Sequence, residues 1–399
     1  MSVSAVQAGA AKHTTAPPAV DGGRPRRTRC GSALRRLEHA FWSELSSTGS
    51  AVLDRGLQLA ALGFEAGVRL RGRAFDVGVL QVHHAPCPVV CVGNLTVGGS
   101  GKTPVVAALA AGLAARGESV AILSRGYGGR SDGRSRMIDV PDPAVHGDEP
   151  AMLATMVPSC RVVVGPDRVE SASLAVREGA TVVLLDDGFQ HRRLARDVDI
   201  VVVDGTRGFG NGFLLPRGPL REPPSALRRA HLVLVKDGSG PFRELIAHGI
   251  RDLAEGVPVH DFRLAPRWLT SGDGSREPLE AIRGHAVAAI SGIGNPQGFV
   301  AALRGLGARV VAELGFPDHH RYDAGDVRRA EDAARRAGAG VIVTTSKDFT
   351  KLQQYVQEVP LLALAVEAEP LAGFDWIGWL LHRIVRARRD STGILASGG

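Results

Sequence analysis

The chain has 399 residues, 44% hydrophobic and 22% charged, a make-up that fits a folded globular protein long enough for two domains and excludes a disordered or fibrous one. Its formal charge of +7 favours anionic partners such as nucleotide, nucleic acid, acidic lipid or a phosphorylated substrate. Aromatics are only 5% and are not interleaved with basic stretches, which disfavours a single-strand nucleic-acid platform, so no nucleic-acid partner is expected.

Residues 1–33 are rich in Ala, Pro, Gly, Thr and Arg, show no helical period and lack the apolar block of a signal peptide; they read as a disordered extension. Residues 34–85 carry a helical pattern. Within Ala51 to Leu70, Asp54, Arg55, Gln58, Glu65 and Arg69 share one arc, and Val52, Leu53, Leu57, Leu59, Leu62, Phe64 and Val68 occupy much of the rest. Gly56, Gly63 and Gly67 cluster opposite the charged arc, where close packing is possible. Such a surface suits burial in the protein or a membrane interface; the expectation carried forward is an amphipathic, membrane-facing segment. No run of about 18 apolar residues exists, so no transmembrane helix is expected. The cysteines Cys30, Cys87, Cys91 and Cys160 form no C-x-x-C pair and suit a reducing compartment.

From Pro86 the pattern becomes a βα series. "PVVCV", "SVAILS", "RVVVG", "TVVLLDD", "DIVVVDG" and "HLVLVKD" are continuous apolar runs separated by helices, the signature of a parallel sheet covered on both faces. The fold class is therefore α/β: a parallel sheet domain over 86–261, which the glycine-rich "VGNLTVGGSGKTP" after its first strand makes P-loop NTPase-like, a polar, turn-rich linker over 262–283, and a second, smaller α/β domain over 284–389. The last ten residues, 390–399, read as a flexible tail.

The strongest motif is "VGNLTVGGSGKTP". It follows a strand and opens a helix, so Thr96, Val97, Gly98, Gly99, Ser100, Gly101, Lys102 and Thr103 are the candidate nucleotide cradle. The glycines allow backbone N–H groups to face phosphate oxygens, Lys102 reaches the β- and γ-phosphates, and Thr103 offers a hydroxyl to Mg²⁺. Thr96 stands where the strict pattern has Gly. Val97 stands where a class of partner-switching ATPases has Lys, which counts against that class.

Asp186 and Asp187 end an apolar strand, where doubly wound sheets bind ligands, and one of them can hold Mg²⁺ beside Thr103. In "HGDEPAML", a helix N-cap is the default role for Asp148. Asp204 precedes a long Gly/Pro loop bearing Arg207, Asn211, Arg217, Arg221 and Glu222; arginines there can bind phosphate. "GFPDHHRY" and "TTSKD" add Asp318, His319, His320, Lys347 and Asp348.

Together "VGNLTVGGSGKTP", "SRGYGG", "GDEP", "DDGFQH", "DIVVVDGTRGFGNGFLLPRGPLREP", "ISGIGNP" and "FPDHH" closely resemble the tetraacyldisaccharide 4'-kinase family. The resemblance implies a two-domain kinase that uses ATP and Mg²⁺ to phosphorylate the 4'-hydroxyl of an acylated disaccharide 1-phosphate in lipid A synthesis, at the cytoplasmic face of the inner membrane. It implies Asp148 as general base and His319 as its partner. Lys102, Arg168 and Arg221 become charge stabilisers, with Arg168 on the nucleotide. Thr103, Asp186, Asp187 and Glu222 become the metal side, and Gln190, His191 and Arg125 the contacts to the sugar. The alternatives are a partner-regulating P-loop NTPase without a small acceptor, and a non-enzymatic anion binder. The amino-terminal extension, the charge in 51–70 and Ser346 depart from the family's pattern.

Overall fold

The computed structural model describes residues 50–130, 133–236, 242–318, 320–356, 358–371 and 373–396. The expectations for 1–33, for 34–49 and for the last three residues of the tail lie outside the described residues, as does His319.

Among the described residues the strands are β1 (Val89–Gly93), β2 (Val120–Ser124), β3 (Arg136–Met137), β4 (Arg161–Val164), β5 (Val182–Asp186), β6 (Val198–Asp204), β7 (Leu232–Lys236), β8 (Val259–Thr270), β9 (Arg276–Glu277), β10 (Ala286–Ser291), β11 (Arg309–Gly315), β12 (Val341–Thr345) and β13 (Leu361–Pro370). They form one sheet in the order β11-β10-β12-β13-β8-β7-β6-β1-β5-β2-β4-β3, with β9 on β8. β1 lies parallel between β5 and β6, as βα crossovers require. Its Val90 and Val92 enter the core on one face, with Leu109 and Leu113 of the Lys102–Ala114 helix. Val89 and Cys91 enter the core on the other face, beside Leu185 and Phe189. Burial on both faces explains the unbroken Val/Leu runs.

The direction of the sheet reverses at one place. β8 runs parallel to β7 as far as the Lys236–Phe262 pair. It then continues past the end of β7 and pairs antiparallel with β13, from Phe262 opposite Pro370 to Thr270 opposite Ala363. β13, β12, β10 and β11 are mutually parallel. The carboxyl ends of the second set of strands therefore point back at the carboxyl ends of the first.

That ribbon corrects the expected linker over 262–283. Arg263 and Arg267 point to one side of β8 and pair with Glu369 and Glu367 of β13, at 3.0 and 2.9 Å from their Nε atoms. A half-exposed strand with a charged face reads as polar and turn-rich. The carboxyl-terminal helix, Trp376–Ala396, is a second correction. Its Trp376, Ile377, Leu380 and Ile384 lie in the core of the first sheet rather than in the 284–389 domain, and it includes residues 390–396 of the expected tail. Arg388 anchors it there, donating to Glu118 at 2.8 and 2.6 Å and to the Thr181 carbonyl.

The helix Ala51–Asp76 starts at a Ser50 cap and buries only Ala61 and Phe75. Val52, Leu59 and Leu70 are 83%, 71% and 71% exposed, so among the described residues nothing covers this surface. A Cβ added at Gly56, Gly63 or Gly67 meets nothing within 4 Å among the described residues. The carboxyl end docks: the Arg71 and Arg192 guanidiniums lie over the Phe75 ring, and Arg192 donates to the Gly72 carbonyl and to Asp76.

Because Leu380 is fully buried in the first core, Leu380→Ala is expected to cost about 2–5 kcal/mol in urea unfolding of the whole chain. A cost within about 0.5 kcal/mol, the range of surface substitutions, would show that the helix is peripheral to that core.

Candidate active site

The phosphate loop joins β1 to the Lys102–Ala114 helix. Gly98 and Gly101 take left-handed backbone (φ 96° and 89°), which side-chain-bearing residues rarely adopt. Gly101 is the N-cap and makes no side-chain cap bond, so the first N–H groups of the helix face the loop's concavity. The loop is held from outside. Buried Asn94 donates to Ser100 Oγ at 3.0 Å and accepts from Arg221. Val97 N–H donates to the Pro219 carbonyl and Arg221 N–H to the Leu95 carbonyl, at 2.8 and 2.7 Å. The Gly/Pro loop after β6 is thus a backbone clamp on the phosphate loop. Thr96 takes part by bridging to Leu220, which gives a non-glycine at this position a structural place.

The two aspartates at the end of β5 differ sharply. Asp187 has φ 55° and receives a two-pronged contact from Arg221 at 3.0 and 2.7 Å, with Lys102 Nζ 3.6 Å away. Burial works to raise its carboxyl, but Lys102 and then Arg221 and Arg168 outweigh it and hold it well below the carboxylate range. Asp186 is buried, and neither carboxylate oxygen has a hydrogen-bond partner among the described residues. Burial, then Glu149 and Asp187, push its carboxyl up to about 8 despite Lys102 and Arg168. Two orphaned buried oxygens within the electrostatic reach of the P-loop Lys102 are what a divalent cation would satisfy. Mg²⁺ takes one or two carboxylates and fills its remaining positions with phosphate oxygens and water, so the residues present fit the ion. Among the described residues no group of three or more His, Cys, Asp and Glu is arranged as a metal cage. Glu222 is occupied differently: it accepts from Arg229 at 2.6 Å, and the Arg229 guanidinium lies over Phe189. Of the three expected metal-side carboxylates, Asp186 alone presents orphaned oxygens.

Arg168, buried at the start of its helix, donates to the Gly165 carbonyl at 2.9 Å and reaches the Asp186 carbonyl at 3.5 Å. Burial lowers it to about 10 while Asp186 opposes the shift, so it stays charged. The nearby charge of exposed Arg125 lowers it further. Gln190 donates to the Asn94 carbonyl, and Arg71 of the first helix donates to the Gln190 carbonyl, both at 3.0 Å. His191 is held down to about 4 by burial and then by Arg168, so it is neutral at pH 7, with an unpartnered buried Nε2. Asp204 accepts from Lys236 at 2.6 Å and from Thr206, which closes the turn after β6.

Asp148 opens the Asp148–Met156 helix, but the N-cap is Gly147 (φ 90°). A Cβ at Gly147 would lie 2.5 Å from the Tyr127 carbonyl, so "GDEP" and "SRGYGG" interlock only through glycine. The Asp148 side chain reaches across the cleft and accepts from Lys351 at 2.9 Å. The cleft is crossed again where Arg207 donates to the Gly294 carbonyl at 2.5 Å. A Cβ at Gly294 would sit within 3.8 Å of Arg207, Asp318 and the Gly99 nitrogen, so "ISGIGNP" rests on the phosphate loop. Asp318 is paired with Lys347 at 2.6 Å, and His320 Nε2 with Asp326 at 2.8 Å. Sequence reasoning missed Lys351, Asn94 and Arg229. Asn94 lies inside the glycine-rich motif, six residues before Ser100, but its other partner, Arg221, is 127 residues away; Arg229 is concealed in an ordinary basic run, and Lys351, one turn after Asp348, pairs with Asp148 across 203 residues.

The chain matches the family described as tetraacyldisaccharide-1-P 4'-kinase over residues 53–384. The tetraacyldisaccharide 4'-kinase of Anaeromyxobacter dehalogenans (strain 2CP-C) is 45% identical over 355 residues, covering 85% of this chain and 93% of that one. That of Geobacter sulfurreducens is 40% identical over 343 residues, covering 83% and 95%. Among solved structures, the "apo" form of LpxK from Aquifex aeolicus in complex with ATP matches with a TM-score of 0.67 and 31% identity, over 83% of this chain and 99% of that one.

A carboxyl raised by folding holds its proton in the native state after the unfolded chain has released it. Stability of the ligand-free protein therefore falls as pH rises from the ordinary carboxylate range through about 8. Asp186→Asn is expected to remove that fall, leaving the ligand-free variant at least as heat-stable as wild type at pH 8. The same variant is expected to lose the stabilisation by ATP that depends on Mg²⁺. Unimpaired Mg²⁺-dependent stabilisation would move the metal away from Asp186.

Proposed function

The chain belongs to the tetraacyldisaccharide-1-P 4'-kinase family, and from that premise we propose how its own residues carry the reaction. The reaction is transfer of the ATP γ-phosphoryl group to the 4'-hydroxyl of a tetraacylated glucosamine disaccharide 1-phosphate, in lipid A biosynthesis. The alternative of a partner-regulating NTPase without a small acceptor is not favoured.

The observation that carries the assignment of roles is the contrast between the two strand-end aspartates. Asp187 is saturated by Arg221 and Lys102, whereas Asp186 offers two unpartnered oxygens. Asp186 and Thr103 would hold Mg²⁺, which when bound neutralises charge on the transferring phosphoryl group. Asp187 serves as an anchor that keeps Lys102 and Arg221 over the phosphate loop. Gly98 to Gly101 direct backbone N–H groups to the phosphates, and Lys102 and Arg221 stabilise negative charge there. Arg168 acts from behind Asp186, and Glu222 acts through Arg229. Asp148, at the start of its helix and on the cleft, takes the proton of the attacking 4'-hydroxyl, with His319 as the partner that the family resemblance supplies. Gln190, neutral His191 and Arg125 face the sugar headgroup.

An acylated substrate implies a membrane surface. No described helix is long and apolar enough to cross a membrane. Val52, Leu59 and Leu70 fall within about 20° of one another at 100° per residue, and all three are exposed. We place this stripe of the Ala51–Asp76 helix in the interface at the cytoplasmic face of the inner membrane, as a peripheral contact.

Purified protein with Mg-ATP is expected to phosphorylate the disaccharide 1-phosphate. Lys102→Ala and Asp148→Ala are each expected to lose roughly 10²-fold or more in turnover. Near-normal turnover in Asp148→Ala would remove it as the base, and ATP turnover indifferent to the acceptor would overturn the kinase roles. In vesicle flotation, replacing Val52, Leu59 and Leu70 together by Asp is expected to weaken binding roughly tenfold or more. Binding equal to wild type would show that this helix is not the membrane contact.

A further inference from the structure

Lys351 sits where the two halves of the molecule meet. It belongs to the short helix Ser346–Leu352, which follows β12 in the second half. Its ammonium donates to Asp148 Oδ2 at 2.9 Å across the cleft, to the His320 carbonyl at 3.2 Å, and lies 3.6 Å from Asp348 Oδ1. The Tyr322 ring is 5.7 Å away. The ion-paired side chains are enclosed: Lys351 is 11% exposed, Asp148 16% and Asp348 fully buried.

Asp348 is itself fixed, accepting from the Gly292 N–H at 2.8 Å and from the Thr345 hydroxyl at 2.9 Å. The ammonium therefore hangs from a rigid support in the second half, and its remaining hydrogen-bonding capacity is aimed at the first. A lone buried carboxylate–ammonium pair contributes little to stability, because desolvation offsets attraction. What such a pair does supply is geometry: it fixes the carboxylate in one orientation and ties that orientation to the position of the opposing domain.

We infer that Lys351 is a positioning residue for phosphoryl transfer, holding the Asp148 carboxylate in register with the second domain. This rests on Asp148 acting as the base. Lys351 touches neither nucleotide nor metal-side residues among its described contacts, so its effect falls on the acceptor step and not on ATP binding.

The test is a double-mutant cycle on the full-length enzyme in the lipid phosphorylation assay, with thermal unfolding as the check on folding. Lys351→Met is expected to lower kcat by roughly 10- to 100-fold, with KM for ATP unchanged within about twofold. Lys351→Arg, which keeps the charge, is expected to recover most of that loss. In an Asp148→Asn background, Lys351→Met is expected to change the residual turnover no further, because the lysine acts only through that carboxylate. If Lys351→Met does not fold, Lys351→Gln, which keeps a donor and loses the charge, takes its place in the cycle. A kcat unchanged by loss of the charge overturns the inference, as does a loss that multiplies independently with Asp148→Asn. An Asp148→Asn enzyme with near wild-type turnover instead overturns the base assignment, and this inference with it.

Discussion

The structure depends on a single change of strand direction. Parallel sheets gather their ligand-binding loops at the carboxyl edge, and a second parallel sheet continued in the same sense would carry its own loops alongside, facing the same way. Because β8 overruns β7 and takes β13 antiparallel, the two carboxyl edges oppose each other. The phosphate loop, the strand-end aspartates and the "GDEP" turn line one wall. "ISGIGNP" and the short helix after β12 line the other. The first wall holds the phosphate cradle, the candidate cation ligand and Asp148, and the second reaches across to them through Lys351 on Asp148 and the Gly294 carbonyl on Arg207.

Within that cleft, charge is distributed by geometry more than by residue type. Asp186 and Asp187 are neighbours in the chain, yet one is left with bare oxygens and the other is clasped by arginine and lysine. The left-handed backbone of Asp187 turns its side chain out toward Arg221, and the chain after β6 folds back to deliver that arginine. Local backbone conformation of this kind costs about 1–3 kcal/mol and persists where surrounding contacts enforce it. Here those contacts are the ones that also shape the phosphate loop.

What could be read in advance follows from this. Strand, loop and helix around Lys102 were legible because the glycine pattern is contiguous and its meaning local. The βα series was legible because burial on both faces writes itself as unbroken Val/Leu runs. The division between Asp186 and Asp187 was not, since it depends on Arg221, 34 residues away. β8 reads as a linker in the sequence because Arg263 and Arg267 find their acidic partners about a hundred residues later, on β13. Lys351 passed unnoticed because its partner Asp148 is 203 residues upstream. The apolar surface of the first helix is visible in the sequence, but its pattern alone suits burial as well as a lipid interface; among the described residues Val52, Leu59 and Leu70 stay exposed.

The carboxyl-terminal helix returns to the first sheet after the whole second half has been built. In topological terms β10, β11 and β12 are an insertion, and the core around β1 is made from segments on both sides of them. During synthesis, Val90, Leu109 and Leu113 must wait for Leu380 and Ile384 before their face of the sheet is sealed. Domains usually fold in the order in which they emerge. In this chain the core begun earliest is the one that closes last.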